Sequence, residues 1–286
     1  MKKLLVATDL SARSDRALER AIDLAHEHGA QLTIVHVIDE CLPTVLLNAQ
    51  EEFAKESVDE YINKIKSSYE KYLSIDISVE ILQGVSYSDI LTAAERVGAE
   101  LLIVGIHRED TFGDLFLGTT AERCMRLGDL PVLEVKERTT GPYRRVTVGI
   151  DFSVFSRRAV ELAVKLAPSA EIYLVHAYHI PFRGLLRDRR MEKNIADESE
   201  RQMTTLVNED MAALLSDLGS DATNIEQVVQ HGTPQEVIHR QIKQASSDLL
   251  VVGTHGRTGV TRALLGSVAE SYLRHPPCDV LAVKAY

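Results

Sequence analysis

The feature that most restricts the fold is an internal duplication. Leu4–Ala25 aligns without gaps to Val146–Ala167, with ten identities in 22 positions, among them Asp9/Asp151, Ser11/Ser153, Ser14/Ser156, Ala17/Ala159 and Glu19/Glu161. Further on, Glu100–Gly105 matches Asp248–Gly253, Gly118-Thr119 matches Gly266-Ser267, and Val132–Lys136 matches Val280–Lys284. The offset between the copies grows from 142 to 148 residues along these blocks, so the second copy carries small insertions. Self-similarity on this scale means one compact unit written twice, each copy of ordinary domain size. The polar stretch Thr139–Pro142 has turn chemistry and reads as the linker. The expected domains are therefore 1–138 and 143–286.

Within each copy, short apolar runs alternate with helical patterns. Leu4–Ala7 and Val146–Ile150 read as first strands. Ala17, Ala21, Leu24 and Ala25 then fall at i, i+4, i+7 and i+8, one stripe of an amphipathic helix, with Ala159, Ala163, Leu166 and Ala167 as counterparts. Second strands follow at Leu32–Val37 and Ile172–Val175, then charged helical segments at about 49–73 and 192–218. Third strands are expected at Ile75–Ile81 and Ile225–Val229, and fourth strands end at Gly105 and Gly253. Apolar strands separated by helices imply a parallel sheet covered on both faces. The expected fold is α/β, two tandem five-stranded sandwiches. In such sheets ligands sit beyond the carboxyl ends of the strands.

Charge separates the copies. The chain of 286 residues has a formal charge of −10, and residues 1–142 hold 25 acidic against 15 basic side chains while residues 143–286 hold 17 of each. An acidic chain lacks the footprint of a general nucleic-acid binder. No apolar run reaches the length of a membrane span, and the apolar stretch after Met1-Lys2-Lys3 is cut short at Asp9, which reads as a strand rather than a signal peptide. Cys41, Cys124 and Cys278 show neither metal nor redox spacing, so a reducing cytoplasm is expected.

The chemistry concentrates after the fourth strand of the second copy. Gly253, two residues, Gly256, nine residues, then Gly266-Ser267 opens a helix, with Arg257 and Arg262 between. Glycine admits close backbone approach, and a helix N-terminus offers unpaired N–H groups and partial positive charge to a polyphosphate. The alternative is that these glycines only form a turn and a helix start. A Walker P-loop is absent, and no G-x-G-x-x-G follows a strand.

The duplicated module resembles the universal stress protein family in its tandem two-domain form, over Lys3 to Lys284. The pattern of glycines and serine at 253–267 is similar to the motif of that family's ATP-binding branch. The resemblance implies a Rossmann-like sheet of the adenine nucleotide alpha hydrolase type, with strand order 3-2-1-4-5. It further implies ATP, alone or with Mg2+, with phosphates over Gly253, Gly256, Arg257, Gly266, Ser267 and Val268. Asp151 is implied on the nucleoside side or toward a divalent ion, and the backbone at Val175–Ala177 as the adenine pocket, so Ala177 joins the candidate set. Ser153 joins it too, although capping is its simpler role. The family order leaves the last strands, Val132–Val135 and Val280–Val283, at sheet edges. There they are expected to pair with each other as an intramolecular pseudo-dimer, and a further homodimer stays open.

The first copy departs from the motif: Arg108 replaces the second glycine, and Ile106–Leu117 carries a net charge of −2 where Thr254–Leu265 carries +2. At about 6 Å and an effective dielectric near 20, each like-charge pair costs about 3 kcal/mol before screening. The second copy is thus expected to bind nucleotide and the first weakly or not at all. Asp9 reads as a helix cap, His36 and His176 as hydrogen-bonded core histidines, and Cys278 as a buried small side chain. His107 and His255 share a loop position, and the basic cluster at Arg183–Arg190 reads as solvated surface.

Three classes of function follow. The favoured one is an ATP-binding regulatory or stress-response protein. The second is a scaffold or interaction module independent of nucleotide, and the third is a slow ATP hydrolase. Neither an activated nucleophile nor a metal-ligand cluster is legible, so no catalytic or metal residue is assigned, and no more than weak ATPase activity is expected.

Overall fold

The computed structural model describes the chain except residues 13, 40–42, 69–71, 73, 107–119, 179–188, 219–223, 256–264 and 285–286; for 39, 44, 45, 68, 189–201 and 203 it describes the backbone alone. The expected Gly256, Arg257, Arg262, His107, Arg108 and Gly118-Thr119 lie outside the described residues, as does most of the basic cluster. The first repeat runs β1 (Lys3–Ala7), α1 (Ser14–His28), β2 (Gln31–Asp39), α2 (Thr44–Ser68), β3 (Ile77–Gly84), α3 (Ser86–Val97), β4 (Leu101–Gly105), α4 (Thr120–Leu127) and β5 (Val132–Val135). The second runs β6 (Arg145–Gly149), α5 (Val154–Leu166), β7 (Glu171–Tyr178), α6 (Arg189–Leu218), β8 (Ile225–His231), α7 (Pro234–Ala245), β9 (Leu249–Gly253), α8 (Ser267–Arg274) and β10 (Asp279–Val283).

All these strands join one sheet in the order β3-β2-β1-β4-β5-β10-β9-β6-β7-β8. Inside each repeat the order is 3-2-1-4-5 and neighbours are parallel. The antiparallel pair is β5–β10, where Leu133 faces Leu281, its own equivalent in the other copy. A pseudo-twofold axis therefore passes through that pair, and the two five-stranded sheets fuse into one.

Strand alternation splits the apolar residues between two cores. Leu4 and Val6 of β1 pack toward α1, α2, α5 and α6, whereas Leu5 and Ala7 pack toward α3, α4, α7 and α8. Each core is continuous through both repeats, so neither copy owns a private interior. The predicted stripe of α1 is buried at Ala17, Ala21, Leu24 and Ala25. The α2 segment starts earlier than its charge pattern suggests, because the Pro43 carbonyl accepts from the N–H groups of Leu46 and Leu47 and starts the helix there.

The linker is tied down. Thr139 Oγ1 donates to Asp23 Oδ2 at 2.6 Å, and Arg20 donates to the Gly141 carbonyl at 2.8 Å while lying 4.0 Å over the Tyr143 ring. Asp279, only 1% exposed, accepts from the backbone N–H groups of Lys136 and Glu137 and from the Tyr143 hydroxyl, with Arg20 at 3.5 Å. The two strand-end lysines reach across the axis. Lys284 Nζ donates to the Arg126 and Gly128 carbonyls, and Lys136 Nζ donates to the Pro277 carbonyl.

Candidate functional site

Two neighbouring strands of the second repeat, β6 and β9, end side by side, and their continuations leave on opposite faces of the sheet. The chain after β6 enters α5 and the chain after β9 leads to α8, which opens a cleft between them, as parallel sheets do at their switch point. A cavity of about 480 Å³ occupies it. Its polar rim includes Asp151, Ser156, Gly253, His255, Gly266 and Ser267, and its apolar wall includes Ile150, Val175, Pro234, Ile238 and Val268.

Asp151 is held by a local turn. Its Oδ1 accepts from the Ser153 N–H at 3.0 Å, and Phe152 between them takes φ +61°, a costly conformation for a bulky residue. Ser153 is the N-cap of α5: its Oγ accepts from the Ser156 N–H at 3.2 Å. That hydroxyl is engaged in starting the helix, and Ser153 does not line the cavity, whereas Ser156 does.

The glycines have steric reasons of their own. A Cβ on Gly253 would stand 2.9 Å from Phe155 Cβ and 3.1 Å from the Ser156 nitrogen, so the end of β9 could not lie against the first turn of α5 with a side chain there. Gly266 donates its N–H to the Thr254 carbonyl at 2.7 Å, which fastens together the two ends of the segment between them.

Two helices start at the rim of this cavity, and they differ. Thr233 caps α7 with a reciprocal capping box to Glu236, and Pro234 brings no N–H to the first turn. Gly266 caps α8 with no side chain, so the first-turn amides of Ser267, Val268 and Ala269 have no helical acceptor. Those amides and the helix dipole put partial positive charge at the cavity rim.

The far side is built by register. β6 pairs with β7 only as far as Gly149 opposite Val175, but β7 continues to Tyr178 beside β8. Ala177 thus has a neighbouring strand on one side and the cavity on the other, leaving a peptide edge free to face a ligand. His176 lies beside it, donating from Nδ1 to the Ile150 carbonyl at 2.9 Å and resting on the Phe152 ring. His255 is turned by Thr254 Oγ1 at 3.0 Å from its Nδ1 and by the Phe155 ring.

Of the expected site residues, Asp151, Ala177, Gly253, Gly266, Ser267 and Val268 meet around one cavity, and Ser153 stands behind it. Sequence reasoning did not pick out Pro234, Ile238 or Ser156. Nothing in the letters singles out the first: its equivalent in the first copy is Ser86, and the two helix starts differ at most of their positions, keeping only Gly84/Gly232 and Ile90/Ile238 in common.

The first repeat has the same turn with less room. Ser11 N–H donates to Asp9 Oδ1 at 2.9 Å, Leu10 takes φ +61°, and His36 Nδ1 lies 2.8 Å from the Thr8 carbonyl. Burial pushes the Asp9 carboxyl up, but hydrogen bonds from Ser11 and Ser14 outweigh it and hold the group below the usual range. The cavity there is about 210 Å³. Cys124 and Cys278 are buried, and burial raises both thiols to about 12, which makes them unreactive at neutral pH. Among the described residues no group of three His, Cys, Asp or Glu side chains is placed to hold a metal, and no helix is long and apolar enough to cross a membrane.

The model of the universal stress protein family matches residues 1–136 and again residues 142–284. The chain belongs to the universal stress protein family. It is 24% identical over 304 residues to the universal stress protein E homolog of Haemophilus influenzae, covering 99% of this chain and 97% of that one. A universal stress protein of Methanocaldococcus jannaschii is 32% identical over 142 residues, 48% of this chain and 82% of its own. The crystal structure of a universal stress protein from Archaeoglobus fulgidus shares the fold, with a TM-score of 0.72 at 21% identity over 99% of this chain and 96% of that one. The tandem arrangement of the family module coincides with the internal duplication, and the two matches part at the linker.

Proposed function

We propose that the protein binds an adenine nucleotide, ATP alone or with Mg2+, chiefly through its second repeat, and serves in the cytoplasm as a regulatory stress-response protein rather than as an enzyme. The observation that carries this reading is the cavity of about 480 Å³ meeting the open start of α8, against about 210 Å³ at the equivalent place in the first repeat. The parts suit the ligand's three portions. Ile150, Val175, Pro234 and Ile238 offer an apolar wall for a base, with the free peptide edge of Ala177 alongside. Asp151 lines the middle, where a ribose hydroxyl or a metal-bound water is within its chemistry. The amides of Ser267, Val268 and Ala269 suit phosphate oxygens, and the positive charge of Thr254–Leu265 acts in the same sense.

The test uses the whole chain, because separating the repeats would strip β5 from β10 and leave two raw strand edges. The protein is purified without added nucleotide, denatured, and the released small molecules identified, followed by calorimetric titration with ATP. One equivalent of adenine nucleotide is expected, and Gly256→Arg, which imports the first copy's residue, is expected to abolish it. Two equal sites would overturn the division between repeats. A protein that neither carries nor takes up ATP would be a scaffold instead.

A further inference from the structure

Tyr272 on α8 and Cys124 on α4 occupy equivalent positions in the two repeats, and each reaches toward the carbonyl of an equivalent residue in the neighbouring helix. Tyr272 Oη donates to the Gln235 carbonyl of α7 at 2.9 Å, and Cys124 Sγ lies 3.9 Å from the Tyr87 carbonyl of α3. Both side chains are buried. The contact is the same, but its length is not, since a phenol reaches much further from its backbone than a thiol does. The helices follow suit. α4 packs along α3, whereas α8 stands off α7. A second trace lies at the end of α4: a Cβ on Gly128 would fall 2.3 Å from Leu91 Cδ2 of α3, so the end of α4 lies close against α3 and a side chain there would displace Leu91. The equivalent residue in the second repeat is Pro276.

Both cavities lie between these helix pairs. Ser86 of α3 and Thr120 and Ala121 of α4 line the small one, and Pro234 and Ile238 of α7 face Ser267 and Val268 of α8 across the large one. We propose that Tyr272 is the spacer that holds α8 away from α7, and so decides that the second repeat rather than the first has room for a nucleotide. Cys124 in the same place lets the first cavity close. Tyr272 is a positioning residue in this account: it acts through the placement of the α8 start. The inference rests on the nucleotide reading above and adds the residue that selects between the repeats.

The experiment compares the full chain with Tyr272→Phe, Tyr272→Leu and Tyr272→Cys by ATP calorimetry, with thermal melts on the same preparations and a crystal structure of Tyr272→Cys. Tyr272→Phe keeps the ring and loses the hydrogen bond, so its affinity should stay within about threefold of the parent, while Tyr272→Cys should weaken ATP by about tenfold or more, with Tyr272→Leu between. A role confined to stability would instead lower all three melts and leave the affinity of the folded fraction alone. Equal affinities for Tyr272→Cys and the parent overturn the spacer, as does a loss in Tyr272→Phe as large as that in Tyr272→Cys. If Tyr272→Cys does not fold, the comparison of Phe with Leu decides by the same criterion. If the parent binds no ATP, the nucleotide reading fails, and the spacer is judged by the crystal structure alone: α8 must move toward α7 and the cavity must shrink, and an unchanged cavity overturns it.

Discussion

Glu134 on β5 stands opposite Val280 at the seam of the two repeats, 1% exposed, and its Oε2 finds no hydrogen-bond partner among the described residues. Burial, and then the charges of Glu122 and Asp279, push its carboxyl well above the ordinary value of 4.5. In the unfolded chain the group ionises near that ordinary value, while the folded protein keeps the proton to higher pH. Between the two, the folded state binds more protons, so its stability is full below about pH 4.5 and falls as pH rises through the window. Glu134→Gln mimics the protonated form and should remove this slope. Melting temperatures of the two proteins should converge in acid and diverge in favour of the variant at neutral pH and above; parallel curves would contradict it. Nothing in the letters Val-Leu-Glu-Val announces a buried acid, because alternation there reads as a strand with one wet face. Gly253 shows the opposite case. Its place at the end of the fourth strand was legible, but the reason for it, the close approach of Phe155 and Ser156, belongs to a helix about 100 residues away in sequence.

Helices with a strict apolar stripe, such as α1 and α5, are legible because their period repeats whatever they pack on. Strands β2 and β7 run further than their apolar runs suggest. His176, Ala177 and Tyr178 pair only with β8 after β6 has stopped, so they never needed to be apolar on both sides. That overhang makes one wall of the candidate site. The other wall, the start of α8, is an element whose chemistry can be reversed by one side chain. Ser267→Asp places a carboxylate in the first turn of a helix capped only by Gly266. For the helix this is favourable, by about 0.3–1 kcal/mol at an exposed position. For a phosphate at the same amides it is repulsive, and about 3 kcal/mol per charge pair before screening predicts that ATP affinity falls by at least about tenfold. Urea melts and calorimetry on this one variant should therefore move in opposite senses. Unchanged ATP affinity would place the phosphates elsewhere, and a fall in both would make the binding loss a folding defect.

At the scale of the molecule, the pairing of β5 with β10 follows from the duplication, since two identical open edges have each other as nearest partners. The polar links across the seam do not follow from it. Arg126 meets Glu270 and Arg274 meets Glu122, a set with the symmetry of the repeat, but Asp279 has Pro131 as its equivalent and gathers Arg20, Tyr143 and the backbone of Lys136 and Glu137 without any counterpart. Such a hub joins Asp279 to Lys136, 143 residues before it, and to Arg20, near the other end of the chain, and only the folded chain brings them together. It also joins what the cores already join. With one sheet and two cores running through both repeats, the unfolding of one copy exposes the interior of the other. Calorimetry of the full chain should accordingly show one transition, with calorimetric and van't Hoff enthalpies in agreement. Asp279→Ala leaves Arg20 without its buried counter-ion, and the Tyr143 hydroxyl and two backbone N–H groups without their acceptor, a change of the kind that costs about 3–5 kcal/mol. The loss should lower that single transition as a whole, because the hub belongs to neither copy. Two transitions in the parent, or a variant in which only the second repeat melts early, would mean that the copies fold separately and the seam is merely a contact.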